Sequence, residues 1–438
     1  MVDRGNSTNP VYDLLLRSAS AKRLVGIEVE HLCVWPDGIP LAYSSSRSEF
    51  GMGSVLKALS QGPSRERVEN ESGQLIGLKI PNGKISLEPG SQLEFATNPM
   101  VRLSDLETAL ESLEDELKEM TNPYGLSWIS LGVHPNATVE SVELIPVGRY
   151  RIMDEYLRSR GKLSTAMMRL TASIQLNFDY ASETEAIEML QIALLAAPLS
   201  YALFGYSPVV EKNRSRFLSY RGHIWRNTDS DRSGLLSSAL APEFNLAQYS
   251  EILWNCPLMY CQNVQGEYVE AKSKSLRQIA SGEISGIVVD AANTRNAVQE
   301  VFFEARIKPG YVEIRSIDAL PAGLRMSAIA FWYALINDPI ARAWVREKFG
   351  GLTPGDRQLL WESALLKGLE ASVGSQTVAE SVPELFQVMT RYLESNHESH
   401  YIEPLQLLVA KSLNPAQELL AKLPPTFTIQ ELIALTRL

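Results

Sequence analysis

Glu28 and Glu30 stand two residues apart in Leu24-Val-Gly-Ile-Glu-Val-Glu-His-Leu-Cys-Val-Trp35, a run rich in β-branched residues whose alternation suits a strand. Side chains two apart on a strand leave the same face of a sheet, so these carboxylates point the same way. Glu88 and Glu94 flank the Pro89-Gly90 break in Ile85-Ser-Leu-Glu-Pro-Gly-Ser-Gln-Leu-Glu-Phe95, with Gln92 on the face of Glu94. Gln175 and Asn177 repeat the arrangement within residues 170–180, where Ile174, Leu176, Phe178 and Tyr180 alternate against Ser173, Gln175, Asn177 and Asp179. Glu313 and Arg315 do so again between Gly310 and Asp318. Each polar face carries oxygen ligands.

Any one of these strands could be the solvated face of an amphipathic sheet. Four together point elsewhere, because a solvated face mixes Lys and Thr with Glu, and these faces place no lysine among their carboxylates and amides. Packed carboxylates repel one another unless cations share the site, and hard oxygen donors suit Mg2+ or Mn2+, which bridge phosphate oxygens. Zinc is a poorer match: there is no His-Glu-x-x-His, and His397 with His400 reads as a surface pair. The phosphate loop Gly-x-x-x-x-Gly-Lys-Ser/Thr and the Gly-x-Ser-x-Gly elbow are missing, and Gly51-Met-Gly53 lacks the third glycine of a dinucleotide fingerprint.

A second concentration of chemistry is Phe217-Leu-Ser-Tyr-Arg-Gly-His-Ile-Trp225 with Asp229-Ser-Asp-Arg-Ser-Gly234, read as loop. Arg221 could hold a substrate carboxylate bidentately, and Arg232 could meet a phosphate or a structural aspartate. For His223 and Trp225, packing and function are equally good readings.

The elements that must position these groups are strands at 24–35, on either side of Pro89-Gly90, at 170–180 and at 310–318, with helices between them. Ser104 with Glu107 predicts a capping box ahead of Leu106, Leu110, Leu113 and Leu117, and Ser182 with Glu185 predicts another. After Pro321 the periodicity is helical to Leu438 and no strand is expected. The pattern predicts an α+β protein whose antiparallel sheet is covered by helices on one face and opens into a cavity on the other. It has no internal repeat or linker, so residues 1–335 read as a catalytic portion with a helical portion, 336–438, packed on it.

At 438 residues, 45% hydrophobic and 21% charged, the chain has the composition of a folded globular protein. A net charge of -10 and a pI near 5.3 exclude a broad nucleic-acid surface, though not a nucleotide held by cations and a few arginines. Ile187–Val210 is apolar enough to suggest a membrane span, but Glu188, Gln191 and Pro198 interrupt it, and a buried helix is expected. The first twenty residues lack the pattern of a secretory signal, so a cytoplasmic location with small-molecule partners is expected. Cys33, Cys256 and Cys261 match no metal or disulfide framework, and read as buried thiols.

Taken in order, Gly26-Ile-Glu-Val-Glu30, Ile85-Ser-Leu-Glu-Pro-Gly-Ser-Gln-Leu-Glu94, Ser173-Ile-Gln-Leu-Asn177, Arg221-Gly-His-Ile-Trp225 and Gly310-Tyr-Val-Glu-Ile-Arg315 resemble the glutamate-cysteine ligase family, especially its plant and proteobacterial branch, over residues 24–335. The resemblance implies a curved, mainly antiparallel, glutamine-synthetase-like sheet forming a funnel that holds ATP and several Mg2+ ions. It implies attack of the glutamate γ-carboxylate on the γ-phosphate of ATP and capture of the acyl phosphate by the amine of cysteine. By position, Glu28, Glu30, Glu88, Glu94, Gln175 and Glu313 look like the metal set and Arg315 like the residue that meets the transferred phosphoryl group. Arg221 resembles the glutamate-orienting arginine, while His223, Trp225, Arg232 and Asn177 fall in the substrate and nucleotide site.

Plant-type members read Met-Arg-Ser-His-Ile-Trp where this chain has Tyr220-Arg-Gly-His-Ile-Trp225, and carry an arginine where it has Leu170. Arg169 would then lie on the opposite side of an extended strand. The wording around Gln175 and Glu313 is similar to bacterial relatives, including those feeding ergothioneine synthesis, and the cysteines do not match the plant redox switch. These departures leave open another amine acceptor, or a catalytically silent binding protein.

Overall fold

A computed structural model describes residues 9–16, 23–44, 47, 49–373 and 375–438. Among them, nine strands form one sheet: β1 Val25–Val34, β2 Glu66–Glu69, β3 Leu75–Ile80, β4 Gly83–Leu87, β5 Leu93–Thr97, β6 Ser127–Ile129, β7 Ser173–Asp179, β8 Ala305–Lys308 and β9 Tyr311–Asp318. The spatial order is β8-β9-β7-β1-β5-β4-β3-β2, with β6 on the far end of β1, and every pairing is antiparallel.

The helices that matter for the site are α1 Leu103–Thr121, α2 Gly148–Arg158, α3 Ser164–Leu170, α4 Glu183–Phe204, α5 Tyr220–Arg226, α6 Ala322–Asn337 and α7 Pro354–Lys367. The inward residues of β1 and β7, among them Ile27, Val29, Ile174 and Leu176, are essentially inaccessible and share one core with Leu106, Leu110 and Leu113 of α1 and with α4 and α6. Helices α1, α4 and α6 thus cover the apolar face and leave the other to the polar residues of each strand. Helix α4 is long and apolar enough to cross a membrane, but 89% of its apolar window is buried inside the protein; it is a core helix, as its interruptions predict.

Local signals hold in part in one case and yield to a distant residue in another. Ser182 caps α4, its hydroxyl accepting from the Glu185 amide at 3.2 Å, while the Glu185 carboxylate accepts from the Ala181 amide and not from that of Ser182, so half of the expected box forms. Helix α1 begins one residue before Ser104, and the Leu103 amide donates to the Glu398 carboxylate at 2.7 Å. An acidic side chain 295 positions away does the work of the local box, as a carboxylate at a helix N-terminus should.

Two further expectations are corrected. The chain stays helical through Leu170 and extends only from Ser173, so Arg169 is not on a strand. A short hairpin, Ser372–Val373 with Gln376–Thr377, interrupts the helical run after Pro321. The helix α6 crosses residue 335, and the later helices share the core with the sheet. They also brace α5: the Leu218 amide donates to the Leu365 carbonyl of α7 at 2.8 Å. All three cysteines are buried and free.

Candidate active site

The open face of the sheet encloses a cavity of about 450 Å³. Pairing places Glu30 opposite Glu94 and Glu28 opposite Gln175, and Glu88 enters from the turn that joins β4 to β5. That turn is closed by the Glu88 amide donating to the Gln92 carbonyl and the Ser91 amide to the Glu88 carbonyl, both at 2.9 Å. Its apex abuts α3: a Cβ on Gly90 would sit 2.2 Å from the Arg169 carbonyl oxygen, so only glycine fits. The Gln92 side chain is used within this junction, accepting from the Gly90 amide and donating to the Met168 and Thr171 carbonyls.

Glu30, Glu88 and Glu94 converge until one oxygen from each lies within 4.8 Å of the others. Ser173 and Gln175 donate to Glu30 at 2.9 and 3.3 Å, and Ser86 donates to Glu94 at 3.0 Å. These bonds do not offset the loss of water and the mutual repulsion. Burial, reinforced by the Glu88 charge, pushes the Glu30 carboxyl up to about 7. Burial and neighbouring carboxylates likewise raise Glu88 and lift Glu94 well above the ordinary range. Three converging hard oxygen donors with too few cations of their own fit a divalent ion of the Mg2+ type. Glu28 lines the same cavity and accepts from Asn177 at 2.9 Å.

Glu313 has the opposite surroundings. One of its oxygens accepts from Arg306 Nε at 2.9 Å and Arg315 Nη1 at 2.5 Å, with Arg306 Nη2 2.7 Å away as an ion pair; the other lies 3.5 Å from Lys308 Nζ and has no hydrogen-bond partner among the described residues. Burial alone would raise its carboxyl, but Arg306, Lys308 and Arg315 outweigh that and hold it far below the ordinary range. Arg315 also donates to Gln175 Oε1 at 2.6 Å and lies 5.3 Å above the Trp225 ring. The β9–β7 register shifts between Ile314 and Ile317, and here the Arg315 and Ser316 carbonyls accept from Arg221 Nη2 and the Ser200 hydroxyl. Such an irregularity re-aims a side chain, in this case Arg315.

A model of glutamate-cysteine ligase family 2 matches residues 24–433. The chain belongs to the glutamate-cysteine ligase family. The match runs past residue 335 and takes in most of the helical portion. Chloroplastic glutamate-cysteine ligases are similar to it: that of Arabidopsis thaliana is 28% identical over 80% of this chain and 68% of its own length, and that of Brassica juncea 29% over 80% and 69%. A crystal structure of a Francisella tularensis glutamate-cysteine ligase in complex with AMP shares the fold, with a TM-score of 0.59 at 13% identity over 95% of this chain and 88% of that one.

In this member of the family, Glu28, Glu30, Glu88, Glu94, Gln175, Trp225 and Arg315 line the cavity, and Asn177 and Glu313 lie directly behind it through their contacts with Glu28 and Arg315. Arg221 is 1% exposed; its Nε and Nη1 are buried without hydrogen-bond partners among the described residues, and the nearest acid, Asp318, is 3.8 Å away. Its guanidinium sits 5.8 Å from the Trp225 ring, under the cavity floor.

His223 and Arg232 are not brought to the cavity. His223 stacks on Phe217 with ring centroids 4.0 Å apart. Arg232 is inaccessible and donates to Asp229, the Glu300 carbonyl, the Tyr156 hydroxyl and the Pro257 carbonyl, so it acts as an internal clamp. Arg169 turns to Asp154, at 2.8 Å, and to the Val142 carbonyl. Gly222 faces α7, where a Cβ would lie 2.3 Å from Leu365 Cδ2, so its difference from the plant wording answers to packing.

Four cavity cations escape the sequence reading: Lys84, Arg149, Arg306 and Lys308. Lysine is therefore not excluded from the site. Arg306 and Lys308 alternate with Ala305 and Ile307, the period-two signal used elsewhere, in a strand of only four residues. Reading Pro309-Gly310 as a hairpin turn would have placed Arg306 opposite Glu313 and Lys308 on the same face opposite Tyr311, where the structure has them.

Proposed function

We propose that this chain joins the γ-carboxylate of glutamate to the amine of cysteine with cleavage of ATP, through a γ-glutamyl phosphate. The observation that carries this reading is the division of one cavity into a carboxylate-rich wall, Glu28, Glu30, Glu88 and Glu94, and a cationic wall, Arg306, Lys308 and Arg315, in a chain of the glutamate-cysteine ligase family. Glu30, Glu88 and Glu94, with Glu28 beside them, would hold Mg2+, or Mn2+ in its place; such an ion supplies charge neutralisation at phosphate oxygens. Arg315 is aimed to stabilise negative charge on the transferred phosphoryl group, and its position is set by Glu313, Gln175 and the Trp225 face. Arg221, buried under the cavity floor, would act on the site indirectly, through its bond to the Arg315 carbonyl and its place beside the Trp225 ring. Met153, Met167, Met168 and Phe302 line the remainder of the cavity and limit the water that would hydrolyse an acyl phosphate.

The test is ADP release from Mg2+, ATP and glutamate with cysteine, with other amino acids and with small amines, followed by mass spectrometry of the product. Stimulation by cysteine with γ-glutamylcysteine formed supports the reading and places the enzyme in low-molecular-weight thiol synthesis, toward glutathione or ergothioneine. Stimulation by a different amine keeps the mechanism and changes the acceptor. ATP binding with no turnover in any combination overturns the reading.

A further inference from the structure

The cationic wall holds three positive side chains around one buried carboxylate. Arg306 and Arg315 share a single Glu313 oxygen, and Lys308 stands 3.5 Å from the other. All three also line the cavity, while Glu313 itself is inaccessible behind them. The cluster therefore carries surplus positive charge on its open side, and its inner side is held by an acceptor already crowded by three donors. Phe302 lies 5.9 Å from each of the Arg306 and Arg315 guanidiniums; Arg306 Nη1 is anchored on the Gln299 and Val301 carbonyls, which leaves its Nε edge, the one on Glu313, to turn between acceptors. Glu313 Oε2, by contrast, is buried with no hydrogen-bond partner among the described residues.

We propose that Glu313 is an exchange residue, which holds Arg306, Lys308 and Arg315 while the cavity lacks nucleotide and, when a polyphosphate draws them outward, turns its carboxylate to a divalent cation. Arg306 and Lys308 are then positioning cations for the phosphates, a role that neither the motif set nor the resemblance gives them. A carboxylate competes with phosphate for the same donors, so nucleotide alone binds against Glu313. With a divalent ion present the displaced carboxylate gains a partner, and the two ligands favour each other's binding by reciprocal linkage. The inference rests on the proposed nucleotide site.

Binding is measured on the full chain, with a non-hydrolysable ATP analogue by calorimetry and with Mn2+ by electron paramagnetic resonance, each alone and then in the presence of the other. Emission of Trp225, isolated by difference from Trp225→Phe, reports movement of Arg315 off the ring. The expected result is about 5- to 150-fold mutual tightening in the wild type, with an emission change on nucleotide binding. In Glu313→Gln the mutual tightening is reduced to the part that an ion held by Glu30, Glu88 and Glu94 supplies, and metal-free nucleotide binds more tightly than to wild type, because the competitor has gone; a merely structural role would weaken it. Arg306→Gln and Lys308→Gln each weaken nucleotide binding, and Arg306→Lys and Lys308→Arg restore part of it. Mutual tightening in Glu313→Gln equal to that of the wild type overturns the exchange while leaving the ligase reading intact, and an unchanged Trp225 emission on nucleotide binding overturns it even if Glu313→Gln fails to fold. Absence of any nucleotide binding by folded wild-type protein overturns the ligase reading itself.

Discussion

The cavity contains two kinds of buried glutamate. Glu30, Glu88 and Glu94 line the open cavity, face one another and are driven toward the neutral form, whereas Glu313, more deeply buried, is held ionised by Arg306, Lys308 and Arg315. Burial penalises the charge in both, so the neighbours decide the sign. The trio is an acceptor short of cations. Glu313 is the counter-charge of a region that has too many. Joining the two regions across a single sheet gives one end an affinity for metal and the other an affinity for phosphate, and neither end is electrically complete alone.

Removing the trio's charge should have the largest effect. Glu30→Gln is expected to lower kcat by about 10²–10³-fold, the scale of losing one preorganised electrostatic group, and to weaken Mn2+ binding seen by paramagnetic resonance. An unchanged Mn2+ affinity would break the assignment of the acidic region.

Glu313→Gln should instead act on stability. Leaving three buried cations without their partner costs about 3–5 kcal/mol, read as a lower melting temperature, while Glu94→Gln should raise the melting temperature of metal-free protein by relieving repulsion. Shifts of the same sign in both variants would erase the contrast.

The pH dependence separates the regions without mutation. The Glu30 carboxyl rises from 4.5 unfolded to about 7 folded, so the unfolded chain gives up its proton first. Stability of metal-free protein therefore falls as pH climbs through that interval, and saturating Mg2+ abolishes the fall. Glu313, depressed below the ordinary range, stabilises throughout the interval, and its contribution is lost only under more acid conditions. Thermal melts across pH with and without Mg2+ check both.

The smallest effect is expected at the support of Glu28. Asn177→Ala removes one 2.9 Å hydrogen bond and should cost about 1 kcal/mol of stability, with metal affinity falling by no more than about 10-fold. A larger loss would make Asn177 a ligand in its own right.

Most of the acidic region is legible in the sequence because strand alternation is a strictly local rule: once β1, β5 and β7 are recognised, the direction of Glu28, Glu30, Glu94 and Gln175 follows. The cationic region is less so. Strand β8 is too short to show much alternation, and its charges acquire meaning only opposite Glu313. Arg232 escapes for a different reason. A loop arginine near aspartates reads equally as ligand or clamp, and the partners that decide it, Glu300 and Pro257, lie 68 and 25 residues away. The α1 cap was misplaced on the same account, since nothing near Ser104 announces Glu398.

The contact between Gly222 and Leu365 ties the arginine-bearing helix to the helical portion, and it sets a rule for descent. In a lineage that carries a side chain at 222, the residue facing it at 365 must be smaller, and in one with leucine at 365 the glycine must stay. Volume at these two positions should therefore trade in relatives of this chain, and a substitution at 365, far in sequence from any carboxylate, should be felt first as a change in how firmly Arg221 is held.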